Sequence, residues 1–348
     1  MQNDIMIFDA TLRDGNHAMK HQIGTDVIAE YCKQIDDAGL YTIIVGHGNG
    51  LGASSLQVGL SRHTDREMLE AARRNLKTTK LGAYMIPGFG TIADNLIPAI
   101  EIGVDVFKIG CHCTEADTTK EHIEYLVHNN KEAYGVLMMT HMISPEGLLE
   151  QVKKMGSYGA AGVIIMDSAG ALLPDDVKSR MDILCSRTKL KIGFHAHNNM
   201  SMAVANTLAA LDSGASIVDG TLKGLGAGAG NCQLEVLCAI LKKYGKLSGV
   251  NLYRLMDICD DIIEKKLNYT QGISSLSLVS GMSGVFSAFS EHVKRASIRF
   301  GVDSRDIFEE LGKRKVVGGQ EDMVVDVAMN LSQKNKKDDT SYLLESLL

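Results

Sequence analysis

Short apolar runs recur along the first two thirds of the chain, and each is followed by a stretch compatible with a helix. The eight runs are residues 5–8, 41–45, 81–86, 104–109, 135–139, 162–166, 191–194 and 216–218. The clearest intervening helices are predicted at residues 25–38, 121–128, 145–156 and 199–213. Near-continuous apolar runs that alternate with helices are typical of parallel strands buried on both faces.

The number of these units predicts the fold class, α/β. Eight strand–helix units match a (β/α)₈ TIM barrel in number and in length. The alternative is a doubly wound sheet, which more often uses fewer strands and places a phosphate-binding loop after the first of them. We therefore predict a TIM barrel.

Beyond about residue 264 no further strand-like run is bounded by turns, and the pattern becomes helical. Helices are predicted at residues 284–300, 304–312 and 320–331. The predicted organisation is a barrel domain, residues 1–268, followed by a small helical C-terminal domain, residues 269–348.

Composition excludes several classes of protein. The 348 residues are 45% apolar, and the formal net charge is -6. A globular protein without a basic field is expected, so we predict neither a nucleic-acid partner nor binding to a membrane. No basic and apolar targeting segment is visible at the N-terminus, and seven scattered cysteines suggest reduced thiols. A cytoplasmic location is therefore expected.

Ionisable and polar residues gather after the C-terminal ends of most apolar runs. They are Arg13, Asp14, His17, His47, His112, His141, Asp167, Ser168, His195, His197 and Asp219. In a closed barrel these ends converge on one mouth, which is the face that carries the active site.

The pair His195 and His197 is the strongest chemical signal. Residues at i and i+2 of a strand point to one face, so two imidazoles there form half of a divalent metal site. The alternative is one histidine inside the barrel and one capping the next helix. Asp14 completes a two-histidine, one-carboxylate set that leaves positions for a chelating substrate. Arg13 would stabilise a developing oxyanion, and His17 is the candidate acid or base unless it is a surface histidine.

Three further positions keep two interpretations each. Ser168 could hold a substrate carboxylate or cap a helix, and His47 could be a site residue or a turn residue. The alternating glycines of 224–230 do not form a dinucleotide fingerprint. Asn231, which follows them, could cap the next helix or be a weak metal ligand.

Several motifs together resemble a known group of enzymes. Asp9–Gly15 with His17, His195–Asn198 and Gly226–Asn231 resemble the metal-dependent lyase and aldolase barrels. That group includes 3-hydroxy-3-methylglutaryl-CoA lyase, isopropylmalate synthase and the 4-hydroxy-2-oxovalerate aldolases. The last branch is the most similar, through Gly46–Gly50, His112–Asp117, Thr140–Met142 and Val317–Met323, and the likeness runs from about residue 5 to 331.

The resemblance implies a carbon–carbon lyase that cleaves a 4-hydroxy-2-oxo acid to pyruvate and a short aldehyde through a metal-bound pyruvate enolate. It implies a divalent ion, usually Mn²⁺ with Co²⁺ or Mg²⁺ as alternatives, held by Asp14, His195 and His197. It implies that Arg13 stabilises the enolate, that His17 moves the proton of the 4-hydroxyl, and that the 2-oxo acid contacts Arg13, Asp14, Ser168 and His195.

The resemblance also implies an oligomer that binds an acylating aldehyde dehydrogenase through the C-terminal domain. Two other functions stay open at this point: an acyl-CoA-using Claisen synthase or lyase, and a non-catalytic partner subunit of the dehydrogenase. One departure bears on the aldehyde. The aldolase branch carries tyrosine in a stretch that closes over the site, and here Met282 and Phe286 stand there.

Overall fold

Eight parallel strands close into a barrel in the order of the sequence, and the first strand pairs with both the second and the last. The computed structural model describes the backbone of residues 5–347 and the side chains of residues 5–334. The strands are β1 (Met6–Asp9), β2 (Thr42–Ile44), β3 (Lys80–Met85), β4 (Val106–His112), β5 (Glu132–Met138), β6 (Gly162–Asp167), β7 (Lys191–Ala196) and β8 (Ile217–Gly220). The TIM barrel is confirmed, and the doubly wound alternative is excluded.

Helices follow the strands and cover the outside of the barrel. They are α1 (Gly15–Ala18), α2 (Thr25–Ile35), α3 (Asp65–Arg73), α4 (Ile97–Ile102), α5 (Lys120–His128), α6 (Pro145–Ser157), α7 (Pro174–Arg187), α8 (Ala203–Asp212), α9 (Leu234–Lys243) and α10 (Leu252–Ile258). The start of α6 shows how the sequence sets a boundary. The Ser144 hydroxyl accepts a hydrogen bond from the Gly147 N–H, and Pro145 occupies the first turn.

The inside of the barrel is filled by side chains rather than open. The buried residues of this inner cluster include Phe8, Ile44, Tyr84, Val106, Tyr134, Ile164 and Ile217. Gly110 makes room for the largest of them, because a Cβ at this position would lie 2.1 Å from the Tyr84 hydroxyl oxygen. The packed interior leaves the C-terminal mouth as the place where polar side chains can meet a substrate.

The C-terminal region has its own apolar core, which includes Val285, Phe289, Ile307, Phe308 and Val327. Its helices are α11 (Ser275–Met282), α12 (Ser290–Phe300), α13 (Ser304–Lys313) and α14 (Asp322–Leu347). The predicted start of a helix at residue 284 is wrong: Gly284 has φ +64°, and α12 begins only at Ser290. Among residues 5–347, no helix is both long enough and apolar enough to cross a bilayer.

Candidate active site

The structure brings Asp14, His195 and His197 together at the mouth of the barrel. Each offers one ligand atom, and these atoms all lie within 4.8 Å of one another. Nε2 of His195 is 3.9 Å from Oδ2 of Asp14, and all three side chains are buried. His195 lies on β7, His197 directly follows the end of β7, and Asp14 follows β1. The spacing that predicted one shared site is therefore matched by the geometry.

The glycine-rich segment after β8 holds Asp14 in place. Oδ1 of Asp14 accepts hydrogen bonds from the Ala227 N–H at 3.1 Å and from Nδ2 of Asn231 at 2.9 Å. Gly226 permits this approach, because a Cβ there would lie 2.0 Å from Nδ2 of Asn231 and 2.6 Å from the Asp14 carboxylate. Asn231, which the sequence left open as a cap or a ligand, binds the carboxylate directly.

Arg13 lies beside Asp14 as a fixed cation. One terminal nitrogen, Nη1, donates to Oδ2 of Asp14 at 2.7 Å and to the Gly48 carbonyl at 3.2 Å. The guanidinium carbon lies 4.7 Å from the centre of the Tyr84 ring. Burial raises the pKa of the Asp14 carboxyl, but the charges of Arg13 and the two imidazoles outweigh it and hold the pKa well below 3.8.

Unpaired polar atoms surround Asp14. Buried atoms with no hydrogen-bond partner among the described residues include Nε and Nη2 of Arg13, both ring nitrogens of His195, Nδ1 of His197 and Oδ1 of Asn231. Buried polar groups are normally paired, so a cluster of unpaired ones indicates a ligand. The imidazole nitrogens and the carboxylate fit a divalent metal ion, and the free N–H groups of Arg13 fit an anion.

His17 lies on the short helix α1, half-buried, close to this cluster. A Cβ at Gly48 would lie 2.5 Å from three atoms of its ring, so the imidazole packs directly on the Gly48 backbone. Burial lowers the pKa of His17, Asp14 opposes that effect, and Arg13 adds to it, with a net lowering from 6.5. A neutral imidazole at this place can accept a proton.

His47 belongs to a buried stack rather than to the metal cluster. Its ring lies 3.7 Å from the ring of His21 at an angle of 12°. Nδ1 accepts from the Asn49 N–H at 3.0 Å, and Nε2 is 3.1 Å from the Gly59 carbonyl, which requires a proton on Nε2. Burial lowers the pKa of His47 to about 4. The stack positions the loop that carries Gly48.

Asp167 ends β6 and Ser168 directly follows it, and the two side chains have different contacts. The buried Ser168 hydroxyl accepts a hydrogen bond from the Met139 N–H at 3.0 Å, which leaves its own proton available. Asp167 instead accepts from the backbone N–H groups of Ala171 and Leu172, at 2.9 and 3.0 Å. Burial raises the pKa of Asp167 to about 6. Ser168 can serve a ligand, whereas Asp167 fixes its own loop.

Comparison with known proteins agrees with this geometry. A family model described as HMGL-like matches residues 4–262, and one described as DmpG-like communication domain matches residues 271–333. The 4-hydroxy-2-oxovalerate aldolase of Spirochaeta aurantia is 49% identical over 333 residues, which are 96% of this chain and 98% of the relative. The chain belongs to the 4-hydroxy-2-oxovalerate aldolase family. Its members are carbon–carbon lyases, and so is this chain.

Two further matches extend the comparison. The 4-hydroxy-2-oxovalerate aldolase of Pectobacterium atrosepticum is 48% identical over 337 residues, 97% of this chain and 98% of the relative. The carboxyl transferase domain of Rhizobium etli pyruvate carboxylase superposes with a TM-score of 0.79 at 16% identity, over 96% of this chain and 61% of that structure. At this identity the structural likeness shows the fold alone.

The tyrosine positions of the aldolase family remain without a hydroxyl in the folded chain. Met282 is 68% exposed at the end of α11. Phe286 is half-buried, and its ring centre lies 6.5 Å from that of Phe289. His141 is also outside the metal cluster, since its Nε2 is 2.9 Å from the Gly284 carbonyl of the C-terminal region. His112 contacts the Thr114 hydroxyl at 2.8 Å.

Sequence reasoning missed two residues of the candidate site. Tyr84 of β3 supports the Arg13 guanidinium, and Lys108 of β4 forms a fully buried ion pair with Asp219 of β8. Lys108 lies inside the apolar run 104–109. A lysine within an otherwise apolar, doubly buried strand needs an anionic partner inside the barrel, and that was the available signal.

Proposed function

We propose that this chain cleaves a 4-hydroxy-2-oxo acid such as 4-hydroxy-2-oxovalerate to pyruvate and a short aldehyde, and that it catalyses the reverse aldol addition. We further propose that Asp14, His195 and His197 hold a divalent ion, Mn²⁺ with Co²⁺ or Mg²⁺ as alternatives. The observation that carries the proposal is the cluster of unpaired imidazole nitrogens beside the free N–H groups of Arg13. When bound, the ion would supply Lewis acidity to the 2-oxo acid.

The charges of the buried side chains suit the reaction. Arg13 and Lys108 are balanced by Asp14 and Asp219, all of them at most 3% exposed. A divalent cation added to this neutral set leaves two positive charges. The enolate of pyruvate carries two negative charges, one on the carboxylate and one on the former keto oxygen. The site therefore matches the charge that develops as the carbon–carbon bond breaks.

We assign the roles of the side chains from their polar atoms that have no hydrogen-bond partner among the described residues. His17 accepts the proton of the 4-hydroxyl, while the electron pair of the C3–C4 bond moves toward C3 and the C2 oxygen, and C4 becomes the aldehyde carbon. Nε and Nη2 of Arg13 donate to the oxygen that gains charge. Ser168, whose hydroxyl oxygen accepts from the Met139 N–H, donates its own proton to the carboxylate in this proposal. Protonation of C3 then yields pyruvate.

Exchange of the pyruvate methyl protons in D₂O, followed by NMR, tests the enolate half without assuming which aldehyde is used. We expect exchange with Mn²⁺, Co²⁺ or Mg²⁺, and loss of exchange in Arg13→Ala with metal content retained. Arg13→Lys is the matched control, because it keeps the charge and loses the fork geometry, and it should retain part of the rate. Absence of exchange with all three ions would refute the proposal.

We also propose that residues 269–348 dock an acylating aldehyde dehydrogenase, while residues 1–268 form the catalytic unit. The match of residues 271–333 to a communication domain supports this division. Size-exclusion chromatography of the full chain with such a dehydrogenase should show a shared peak. Separate elution at concentrations of about 10 μM would argue against a stable complex.

A further inference from the structure

A lysine and an aspartate form an ion pair across the inside of the barrel. Lys108 comes from β4 and Asp219 from β8, on opposite sides of the barrel, and both side chains are 0% exposed. The neighbouring inner side chains form an apolar cluster. Removing two charges from water is costly, and a buried ion pair seldom stabilises a fold more than apolar side chains of the same size would. The pair therefore requires an explanation other than stability.

Asp219 connects this pair to the candidate metal site. Its Oδ2 binds Nζ of Lys108 and lies 3.4 Å from Nδ1 of His195. On the other side of the same ring, Nε2 of His195 is 3.9 Å from Oδ2 of Asp14. The imidazole thus lies between two carboxylates. A neutral imidazole carries one proton, so the carboxylate that takes the N–H decides which nitrogen keeps a free lone pair.

Two features favour Asp219 as the acceptor. Nδ1 of His195 has no hydrogen-bond partner among the described residues, and Oδ2 of Asp219 lies 3.4 Å from it. Asp14 is already bound by Arg13, Ala227 and Asn231, whereas among residues 5–334 Asp219 pairs only with Lys108 and the His195 imidazole. The same carboxylate forms an ion pair with Nζ of Lys108, which leaves it able to accept a further hydrogen bond from the imidazole.

The Tyr84 ring fixes the lysine end of this arrangement. Nζ of Lys108 lies 5.9 Å from the ring centre, and the guanidinium of Arg13 lies 4.7 Å from the same centre. The electron-rich face of an aromatic ring attracts a cation, so both cations interact favourably with Tyr84. One series of buried contacts therefore leads to His195, through Arg13, Tyr84, Lys108 and Asp219.

We propose that Lys108 and Asp219 are positioning residues that hold His195 in the Nδ1–H tautomer and direct Nε2 toward Asp14, which sets the affinity of the site for a divalent ion. This inference rests on the proposed function only in taking Asp14, His195 and His197 as the ligands. Carboxylates that orient metal-bound imidazoles change metal affinity by about 10–100-fold when they are removed.

Two double variants separate positioning from packing. Lys108→Met with Asp219→Asn and Lys108→Met with Asp219→Leu both remove the two charges at similar volume. Only the asparagine variant keeps an oxygen that accepts from Nδ1. In Mn²⁺ titrations followed by electron paramagnetic resonance, we expect the leucine variant to bind about 10–100-fold more weakly than the asparagine variant. Equal affinities would overturn the inference.

A measurement on the native chain covers the case in which the leucine variant does not fold. In protein labelled with ¹⁵N-histidine, the ring shifts of His195 distinguish the two neutral tautomers, and a His195→Gln variant assigns the signals. We expect a proton on Nδ1 in the metal-free protein. A proton on Nε2 would overturn the inference.

Both readouts are independent of turnover, so the two proposals can fail separately. Native chain that binds Mn²⁺ and shows the Nδ1–H tautomer but exchanges no pyruvate protons would refute the proposed function alone. Native chain that exchanges pyruvate protons while the two double variants bind Mn²⁺ equally would refute the positioning role alone.

Discussion

Gly48→Ala should impair catalysis through the position of His17 while leaving the metal cluster intact. The new methyl carbon would lie 2.5 Å from Cδ2, Cε1 and Nε2 of the imidazole. Carbon atoms in contact prefer about 3.5–4.0 Å, so the ring must move by roughly 1 Å. The Gly48 carbonyl also accepts from Arg13, and its N–H faces His21, so the backbone is held from both sides. The imidazole is therefore the group that moves.

A displacement of about 1 Å between a catalytic group and its substrate can cost about 100-fold in rate. This corresponds to about 2.7 kcal/mol in the activation free energy. We expect a decrease of about that size in kcat for aldol cleavage. Mn²⁺ affinity should be unchanged, because Gly48 contacts Arg13, His17 and His21 rather than His195, His197 or the Asp14 carboxylate.

The assay couples pyruvate release to lactate dehydrogenase and is run beside a Mn²⁺ titration. Gly272→Ala is the matched control: a Cβ at this exposed glycine meets no atom within 4 Å, and its φ is not positive. A Gly48→Ala enzyme with kcat within about twofold of the native value would show that His17 is not the proton carrier in this position.

Three further predictions concern the metal and pH. Gly226→Ala should weaken Mn²⁺ binding about tenfold or more, because the new Cβ would break the hydrogen bond from Asn231 to the Asp14 carboxylate. A hydrogen bond to a charged group contributes about 1.5–3 kcal/mol. Unchanged affinity in a calorimetric titration would contradict this prediction. Mn²⁺ should raise the midpoint of thermal unfolding, by mass action, in the native chain and not in Asp14→Asn; an equal rise in both would place the ion elsewhere. The pKa of His47 is lowered to about 4 by burial, so the unfolded chain binds the proton first as pH falls from 6.5. The contribution of His47 to the free energy of unfolding is therefore fully present above about pH 6.5, and the free energy falls by about 3 kcal/mol as the pH decreases to 4. Urea unfolding in EDTA should show this decline in the native chain and less of it in His47→Asn; parallel pH profiles would refute it.

The eight strands were predictable because strands buried on both faces must be apolar, and their C-terminal ends must lie on one side of a barrel. The same argument placed Asp14, His195 and His197 together. Contacts across the barrel were not predictable in this way. Lys108 and Asp219 are 111 positions apart, and their pairing depends on which inner layer each occupies. The helix predicted from residue 284 is wrong at its start, because Gly284 has a positive φ and contacts His141, a residue 143 positions away that sequence periodicity does not reveal.

The C-terminal region borders the site through residues next to the metal cluster. Nδ2 of Asn199, two positions after His197, donates to the Ser287 hydroxyl at 2.9 Å. A Cβ at Gly228, in the segment that holds Asp14, would lie 2.6 Å from the same hydroxyl. Ser287 follows Phe286, so the missing tyrosine hydroxyl falls at this border. The groups assigned to the pyruvate half, in contrast, come from the barrel and its loops.

This division predicts that Phe286→Tyr acts on the aldehyde half alone. A phenol there can hydrogen-bond the 4-hydroxyl, and one such bond contributes about 0.5–1.5 kcal/mol, so we expect cleavage to rise by up to about tenfold. Metal-dependent exchange of pyruvate protons should stay within about twofold of the native rate, because the enolate does not need that group. Met282→Tyr is the control, since its 68% exposed side chain would place the hydroxyl in water. Equal changes in the rates of proton exchange and of cleavage would show that residue 286 contacts the pyruvate half of the substrate. The proposed division of the site into a pyruvate half and an aldehyde half would then be wrong.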